Sequence, residues 1–252
     1  MKFATWNVNG IRARQMELQE VLATEQPDVL CLQEIKALPE QVPELLVAPD
    51  GYWCYWHGGR GYSGVALLVR RGVCPSAPGF SHPHFDLEQR IVVADLGAMC
   101  VASVYVPNGG RDYDAKIRFL QALADWCGGL CSAAKALVIC GDLNVAREER
   151  DVHPKLRKAD QIGTRGEERA LLARLFDGGL RDVARALDPD NDSLFTWWAP
   201  WRNLRQRNIG WRIDYVLASE PLGSKALSAV SMREFGTSDH APVVVEWSDD
   251  GL

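Results

Sequence analysis

Four short apolar runs each break off at polar residues suited to a metal or a phosphate. Phe3–Trp6 stops at Asn7 and Asn9, and Val29–Leu32 stops at Gln33 and Glu34. Leu137–Cys140 stops at Gly141, Asp142 and Asn144, and the stretch ending at Gly236 stops at Ser238, Asp239 and His240. Three carboxylates, several amides and one histidine have the chemistry to hold a hard cation against a phosphodiester. They can do so only if the chain gathers them. Runs of this length bounded by turn residues read as buried strands. In open α/β sheets, function collects beyond strand ends, so the four clusters are expected to share one site.

Each cluster also has a plainer reading. Glu34 ends a buried strand, where a carboxylate costs several kcal/mol unless neutralised. It needs a cation or a basic partner. Lys36 reads as a surface neighbour, and a Mg²⁺ ligand is the preferred reading, because that ion is held by one or two carboxylates plus waters and phosphate oxygens. Gly141-Asp142-Leu143-Asn144 places an acid and an amide on one side of an extended backbone. Asp142 could take a proton from water, and Asn144 could orient that water or donate to a phosphate oxygen. The same residues could instead form an Asx turn capping a helix-like Ala146–Arg150. His240 lies between a Ser-Asp turn and a closing strand, with Asp214 available from another strand. A carboxylate would orient the imidazole and favour its cation, which suits it to a pentavalent phosphate. His57, His82, His84 and His153 read as ordinary surface histidines.

The remaining segments must position these residues. Further strands are expected near Tyr52–Trp56, Gly64–Val69, Ile91–Asp95 and Val101–Val106. More are expected near Thr196–Trp198, Ile213–Leu217, Leu227–Met232 and Pro242–Glu246. Helical patterns fit Met16–Thr24, Ala115–Trp126, Gly166–Phe176 and Val183–Leu187. Pro39 and Pro43 predict a short or interrupted helix between the second and third strands. Several direct strand-to-strand turns favour a pair of mixed sheets, since a purely parallel sheet needs a crossover after nearly every strand.

The chain has 252 residues, 47% of them hydrophobic, including nine tryptophans, enough to core one large α/β domain spanning 1–252. No apolar stretch approaches the ~18 residues of a membrane span, and Met1-Lys2-Phe3 opens directly into a strand. Seven cysteines is an odd count, and Cys31, Cys100 and Cys140 fall in apolar strand runs. Cys127 and Cys131 lack a second pair or a nearby histidine and read as structural. A reducing cytoplasm is the expected compartment and a monomer the expected state. The net charge of −5 argues against coating nucleic acid by bulk charge. A local basic face is nonetheless visible in Arg202, Arg205, Arg207 and Arg212, beside Trp197, Trp198, Trp201 and Trp211. It reads equally as phosphate contact with aromatic stacking or as solvated arginines over core tryptophans.

The motifs jointly resemble the exonuclease III family of abasic-site endonucleases, within the wider endonuclease/exonuclease/phosphatase fold. The resemblance is carried by residues 6–14 (WNVNGIRAR), 32–36 (LQEIK), 61–66 (GYSGVA) and 105–108 (YVPN). It continues in 141–144 (GDLN), 208–215 (NIGWRIDY) and 238–240 (SDH), in family order over nearly the whole chain. It implies a four-layer α/β sandwich, two mixed β-sheets flanked by helices. By the same resemblance, Glu34, with Asn9, Asp239 and Asn7, would serve a divalent metal, Mg²⁺ or Mn²⁺. Asp142 would activate water with help from Asn144, Tyr105 and Asn108 would face the scissile phosphate, and Asp214 would pair with His240. Arg12, Tyr62 and Arg111 fall where the family contacts the DNA backbone. Trp197, Trp211 and Ile213 fall where it walls the abasic-sugar pocket.

Two departures stand out. Basic residues occupy 153–160 where some members carry asparagines, and Trp201 is bulky in a variable loop. The activity implied is Mg²⁺-dependent cleavage of double-stranded DNA 5′ to abasic sites, leaving a 3′-hydroxyl, with trimming of blocked 3′ ends. The alternatives are a predominantly 3′→5′ exonuclease or 3′-phosphatase, a lipid or inositol phosphatase sharing Glu34, Asp142 and His240, and a silent damaged-DNA binder. The tryptophan wall speaks against the phosphatase of lipids, and the filled catalytic positions speak against the silent binder.

Overall fold

A computed structural model describes residues 1–132, 135–220 and 222–248. The first sheet is built from β1 (Lys2–Asn7), β2 (Val29–Gln33), β3 (Tyr52–His57), β4 (Val65–Arg70), β11 (Ala226–Ser231) and β12 (Val243–Trp247). Its order is β11-β12-β1-β2-β4-β3. The second contains β5 (Gly79–Ser81), β6 (Ile91–Asp95), β7 (Met99–Tyr105), β8 (Ala136–Asp142), β9 (Leu180–Asp182) and β10 (Asp214–Ser219). Its order is β5-β6-β7-β8-β10-β9. Each sheet has one central parallel pair, β1 with β2 and β7 with β8, and its other neighbours are antiparallel. The parallel pairs need crossovers, supplied by α1 (Gln15–Thr24) and α3 (Tyr113–Ser132). The remaining helices are α2 (Glu44–Val47), α4 (Gly166–Asp177) and α5 (Val183–Leu187).

Strand alternation divides the apolar residues between layers. Phe3, Val29, Cys31 and Leu67 meet Val92, Val101, Val138 and Val216 between the sheets. Ala4, Trp6, Leu30 and Leu32 face the other way, against Leu18 and Val21 of α1. On the far side, Ile139 and Leu217 pack on Phe119, Leu123, Leu172 and Leu175 of α3 and α4. Strands buried on both faces carry unbroken apolar runs, which is why the sequence shows runs rather than alternation. Each buried Val, Leu, Ile or Phe stabilises this four-layer sandwich by ~1.5–3 kcal/mol.

Most expected elements lie within one or two residues of their predicted ends. Thr196–Trp198 differs: it forms no strand, and Trp197 makes only isolated bridges to Trp211 and His240. The hydroxyl of Thr196 is committed to Asp214 instead. Residues 146–148 form no helix and bend at Arg147 and Glu148, with a 3₁₀ turn following at Glu149–Asp151. β5 and β9, three residues each, were too short to announce themselves. α3 runs through Gly128 and Gly129, past its predicted end at Trp126. Packing of Cys127 and Leu130 on the second sheet offsets the ~1 kcal/mol that each helical glycine costs. Cys127 is thus a core residue, and Cys131 packs against the same layer. Among the described residues, no helix is long and apolar enough to cross a membrane.

Register brings the site together. Asn7 pairs with Gln33 at the end of the first sheet's parallel strands. Tyr105, Asp142 and Asp214 lie side by side across β7, β8 and β10. The antiparallel entry of β12 delivers Ser238–His240 to the same end, where Ser238 Oγ donates to the carbonyl of Asn7 at 2.7 Å.

Candidate active site

Asn7 joins the two sheets. Its Nδ2 donates to Asp142 Oδ2 at 3.0 Å and to Glu34 Oε1 at 3.2 Å. Gly141, preceding Asp142, allows β8 to lie against β7, because a Cβ there would sit 1.9 Å from the Val104 carbonyl oxygen. Asp142 is 1% exposed and also accepts from the backbone N–H of Asn144 at 2.9 Å and its side-chain amide at 3.2 Å. Asn144 turns in the left-handed region (φ 51°), which asparagine tolerates, and donates to the carbonyl of Val106. Asn108 Nδ2 reaches Asn144 Oδ1 at 3.3 Å. The predicted Asx-type contact is therefore present, but it holds the acid within the site rather than capping a helix.

His240 is buried, with Nδ1 2.9 Å from Asp214 Oδ2 and Nε2 3.9 Å from Asp142 Oδ2. Asp214 is itself held by the hydroxyl of Thr196 at 2.6 Å. Burial would drive His240 towards neutrality, yet Asp214, with Asp142 and Asp239, raises its pKa to about 10. The ring is a cation at neutral pH. Burial pushes Asp142 up to about 7, against the pull of His240 and with the help of Asp214 and Glu34. A carboxyl poised there is suited to proton transfer.

A second group of oxygens lies beside this one. Glu34 is at φ 50°, and its Oε1 accepts from the Tyr105 hydroxyl at 2.6 Å. Its Oε2 is 2.7 Å from Lys36 Nζ, which also donates to Asn9 Oδ1 at 2.5 Å. Asn9 Nδ2 donates to Asp239 Oδ1 at 2.8 Å, and Trp197 Nε1 donates to Asp239 Oδ2 at 2.9 Å. Burial would raise Glu34, but Lys36 and Tyr105 hold it below its ordinary range. Asp239 is likewise lowered despite burial, chiefly by His240. Glu34, Asp239 and Asn9 form an all-oxygen donor set, fitting a hard divalent cation. Asp142, Asp214 and His240 also lie within 4.8 Å of one another. Asp214 in that trio is engaged by Thr196 and His240, and the Glu34 oxygens are engaged by Tyr105, Asn7 and Lys36.

Above both groups opens a cavity of about 400 Å³, walled by Trp197, Trp201, Trp211 and Ile213 and reached by Lys158 and Gln161. Trp197 and Trp211 meet edge to face at 6.2 Å. Asn108 also borders a neighbouring cavity of about 600 Å³ that contains Tyr62 and Arg111. Arg12 is exposed on the 3₁₀ turn Ile11–Arg14 and lines neither cavity. The basic stretch divides. Arg212 is buried in ion pairs with Asp151 and Asp182, and Arg205 donates to the carbonyls of Arg233, Phe235 and Ser238. Arg202 and Arg207 remain exposed, as does Trp201, whereas Trp198 is core.

Of the other histidines, His57 pairs with Asp86 and stacks on His82, away from the cluster. Sequence reasoning missed Thr196 and treated Lys36 as a bystander. The Glu-x-Lys spacing was the available signal for Lys36, whereas nothing near Thr196 foretold its bond to Asp214.

Known proteins share this arrangement of chain. An exodeoxyribonuclease of Bacillus subtilis is 34% identical over 96% of this chain and 98% of its own length. The DNA repair nuclease APEX1 of Danio rerio is 36% identical over 97% of this chain and 81% of its own. The structure of a variant of the Neisseria 3′ phosphatase NExo, bound to product DNA hairpin, superimposes with a TM-score of 0.89. It is 30% identical and covers 98% of this chain and 99% of its own. An AP endonuclease from Archaeoglobus fulgidus gives a TM-score of 0.86 at 27% identity, over 98% of this chain and 99% of its own. A profile of the Endonuclease/Exonuclease/phosphatase family matches residues 4–240, and the chain belongs to that family.

Proposed function

We propose that this phosphodiester hydrolase is a DNA repair nuclease that cuts double-stranded DNA 5′ to abasic sites and leaves a 3′-hydroxyl. The observation that carries the reading is the pairing of Asp142 with a histidine held as a cation, at the floor of a tryptophan-walled cavity. Water attacks phosphorus, Asp142 takes its proton, the P–O3′ bond breaks, and the departing O3′ alkoxide takes a proton from solvent to become the hydroxyl. His240, Asn144, Asn108 and Tyr105 face the phosphoryl oxygens, which is preorganised charge stabilisation. A divalent cation, Mg²⁺ or also Mn²⁺, held by Glu34 and Asp239 with Asn9 and Asn7 beside them, would supply Lewis-acid stabilisation of developing negative charge. Arg12, Tyr62 and Arg111 contact the DNA backbone in this reading. Trp197, Trp211 and Ile213 close on a flipped sugar without its base.

Residues 1–252 act as one domain and one chain in this proposal, working as a monomer in the cytoplasm within base excision repair. A second reading, predominant 3′-end processing, is favoured by the likeness to the Neisseria 3′ phosphatase and by Lys158 and Trp201 on the cavity wall. A duplex with one internal abasic site and a duplex with a 3′-phosphate, each with and without Mg²⁺, separate the two. Incision of the first at a rate matching or exceeding trimming of the second is expected. Trimming without incision would overturn the main reading in favour of the second.

A further inference from the structure

Lys116 and Glu168 form an ion pair with no exposed side-chain surface, Nζ to Oε1 2.5 Å, joining α3 to the first turn of α4. Neither group touches the cavity or takes part in the chemistry above. The other two acceptors of the ammonium are backbone carbonyls, that of Asn144 at 2.8 Å and that of Asn108 at 3.3 Å. An ammonium has three protons, so all are committed. Glu168 in turn accepts from the N–H of Gly163 at 2.8 and 2.9 Å and that of Arg165 at 3.0 Å. Gly163 accepts from Ala146 N–H, and the adjacent Gln161 and Ile162 line the cavity. Gly109 makes room for the lysine stem: a Cβ there would lie 2.8 Å from Lys116 Cδ.

We infer that Lys116 and Glu168 are positioning residues that fix the loops bearing Asn108, Asn144 and Gln161 relative to one another. The inference rests on the reading of Asn108 and Asn144 as facing the phosphate. A buried ion pair gives little net stability over apolar or neutral residues of similar shape. Its contribution here is alignment: beyond the ends of the paired strands β7 and β8, it ties the loop after β7 to both ends of the segment between β8 and α4. Asn144 needs this most, because its left-handed turn is held from the site side through Asp142, Val106 and Asn108, and from behind its carbonyl is held by Lys116.

The test is Lys116→Met/Glu168→Gln, which removes both charges while leaving an acceptor for Gly163 N–H. Steady-state rates on an abasic duplex at saturating Mg²⁺ and the melting temperature are measured on the same sample. The melting temperature is expected to hold, KM to change less than about twofold, and kcat to fall by ~10- to 100-fold, the scale of an ångström misplacement. Lys116→Gln/Glu168→Gln, which also removes both charges but returns an amide donor toward the Asn144 carbonyl, guards against misfolding and should show a smaller loss in kcat. Combining the first double change with Asn144→Ala should cost less than the sum of the two losses, because Asn144 is the side chain the pair chiefly positions. Unchanged kcat in the folded variant, a loss confined to KM, or fully additive losses would each overturn the inference. Full turnover by Asn144→Ala alone would instead sink the reading of Asn144 itself, whatever the pair does.

Discussion

Two clusters of buried charge stand on either side of Ile213, and they are composed differently. Arg212 joins Asp151, Asp182 and Arg185, two acids against two bases, with Arg212 2.8 Å from Asp151 and 2.9 Å from Asp182. Asp214 joins Asp142, Glu34 and His240, three acids against one imidazole, with Lys36 beside Glu34. In the first cluster burial would raise Asp151, but Arg212 and Arg185 outweigh it and hold the carboxyl below its ordinary range. In the second, burial wins and Asp142 rises to about 7. Equal burial thus yields an anchor where charges balance and a reactive acid where they do not. The anchor is not idle: it fixes the residue before Ile213 and so holds the cavity wall from behind.

The largest effect expected from this contrast is on stability. Asp151→Asn leaves two buried arginines short of a partner and should cost ~3–5 kcal/mol, the usual consequence of breaking a buried pair. Turnover by the molecules that stay folded should change little. A urea titration and a rate measured well below the midpoint give both quantities. A variant as stable as its parent would dissolve the distinction between anchor and active cluster.

Next in size is the inverse result. Asp142→Asn keeps the shape and removes the proton acceptor, so turnover should drop at least ~10²-fold, equivalent to about 2.7 kcal/mol of barrier. Its melting temperature should stay level or rise, since an under-compensated buried charge is gone. DNA affinity should change little or increase. Normal turnover would overturn the mechanism, and a large loss of stability would move Asp142 into the anchor class.

Spread over several pH units, the third effect is gentler. Asp142 is raised from an ordinary 3.8 to about 7, so the metal-free folded protein binds more protons than the unfolded chain between those values. Stability from this group falls as pH climbs through that window. His240, raised from 6.5 to about 10, continues the decline with the same sign. Asp151 has the opposite sign, and its contribution is lost only as pH drops through and below the ordinary carboxylate range. Chelator-treated protein should therefore be less stable at pH 9 than at pH 5 in urea titrations. A rise over that interval would show that the active cluster is compensated by something other than its own protons.

The contrast also explains what could be read from sequence. Strand runs and the polar residues ending them were legible because both follow from local chemistry, and Asp142, His240, Glu34 and Asp239 indeed gather at one end. Arg212 was not legible. In sequence it belongs with Arg202, Arg205 and Arg207 in a basic face, and only the return of residues 151 and 182 beneath it turns it inward. Thr196 was read as part of a strand, while its hydroxyl is engaged by an acid 18 residues away. Lys116 reads as one more helical lysine. Each miss is a long-range pairing of charges or hydroxyls, which periodicity does not record.

The smallest effect concerns the lysine that the active cluster borrows. Lys36 bonds Glu34 and Asn9, two of the proposed metal-side donors, and its side chain is 33% exposed. A half-open pair of this kind contributes ~0–1 kcal/mol, so Lys36→Met should barely alter folding. Its charge nevertheless stands close to where a divalent ion would be held, and repulsion across partly solvated space is of similar size. Removing it should lower the Mg²⁺ concentration for half-maximal rate by about fivefold, the equivalent of ~1 kcal/mol. The measurement is a metal titration of incision at saturating duplex, with Glu34→Gln run alongside and expected to shift the other way. A higher Mg²⁺ requirement in Lys36→Met would mean that the ammonium orients Glu34 for the ion more than it opposes it. The active cluster would then carry a built-in countercharge, and its difference from the Arg212 cluster would be one of degree.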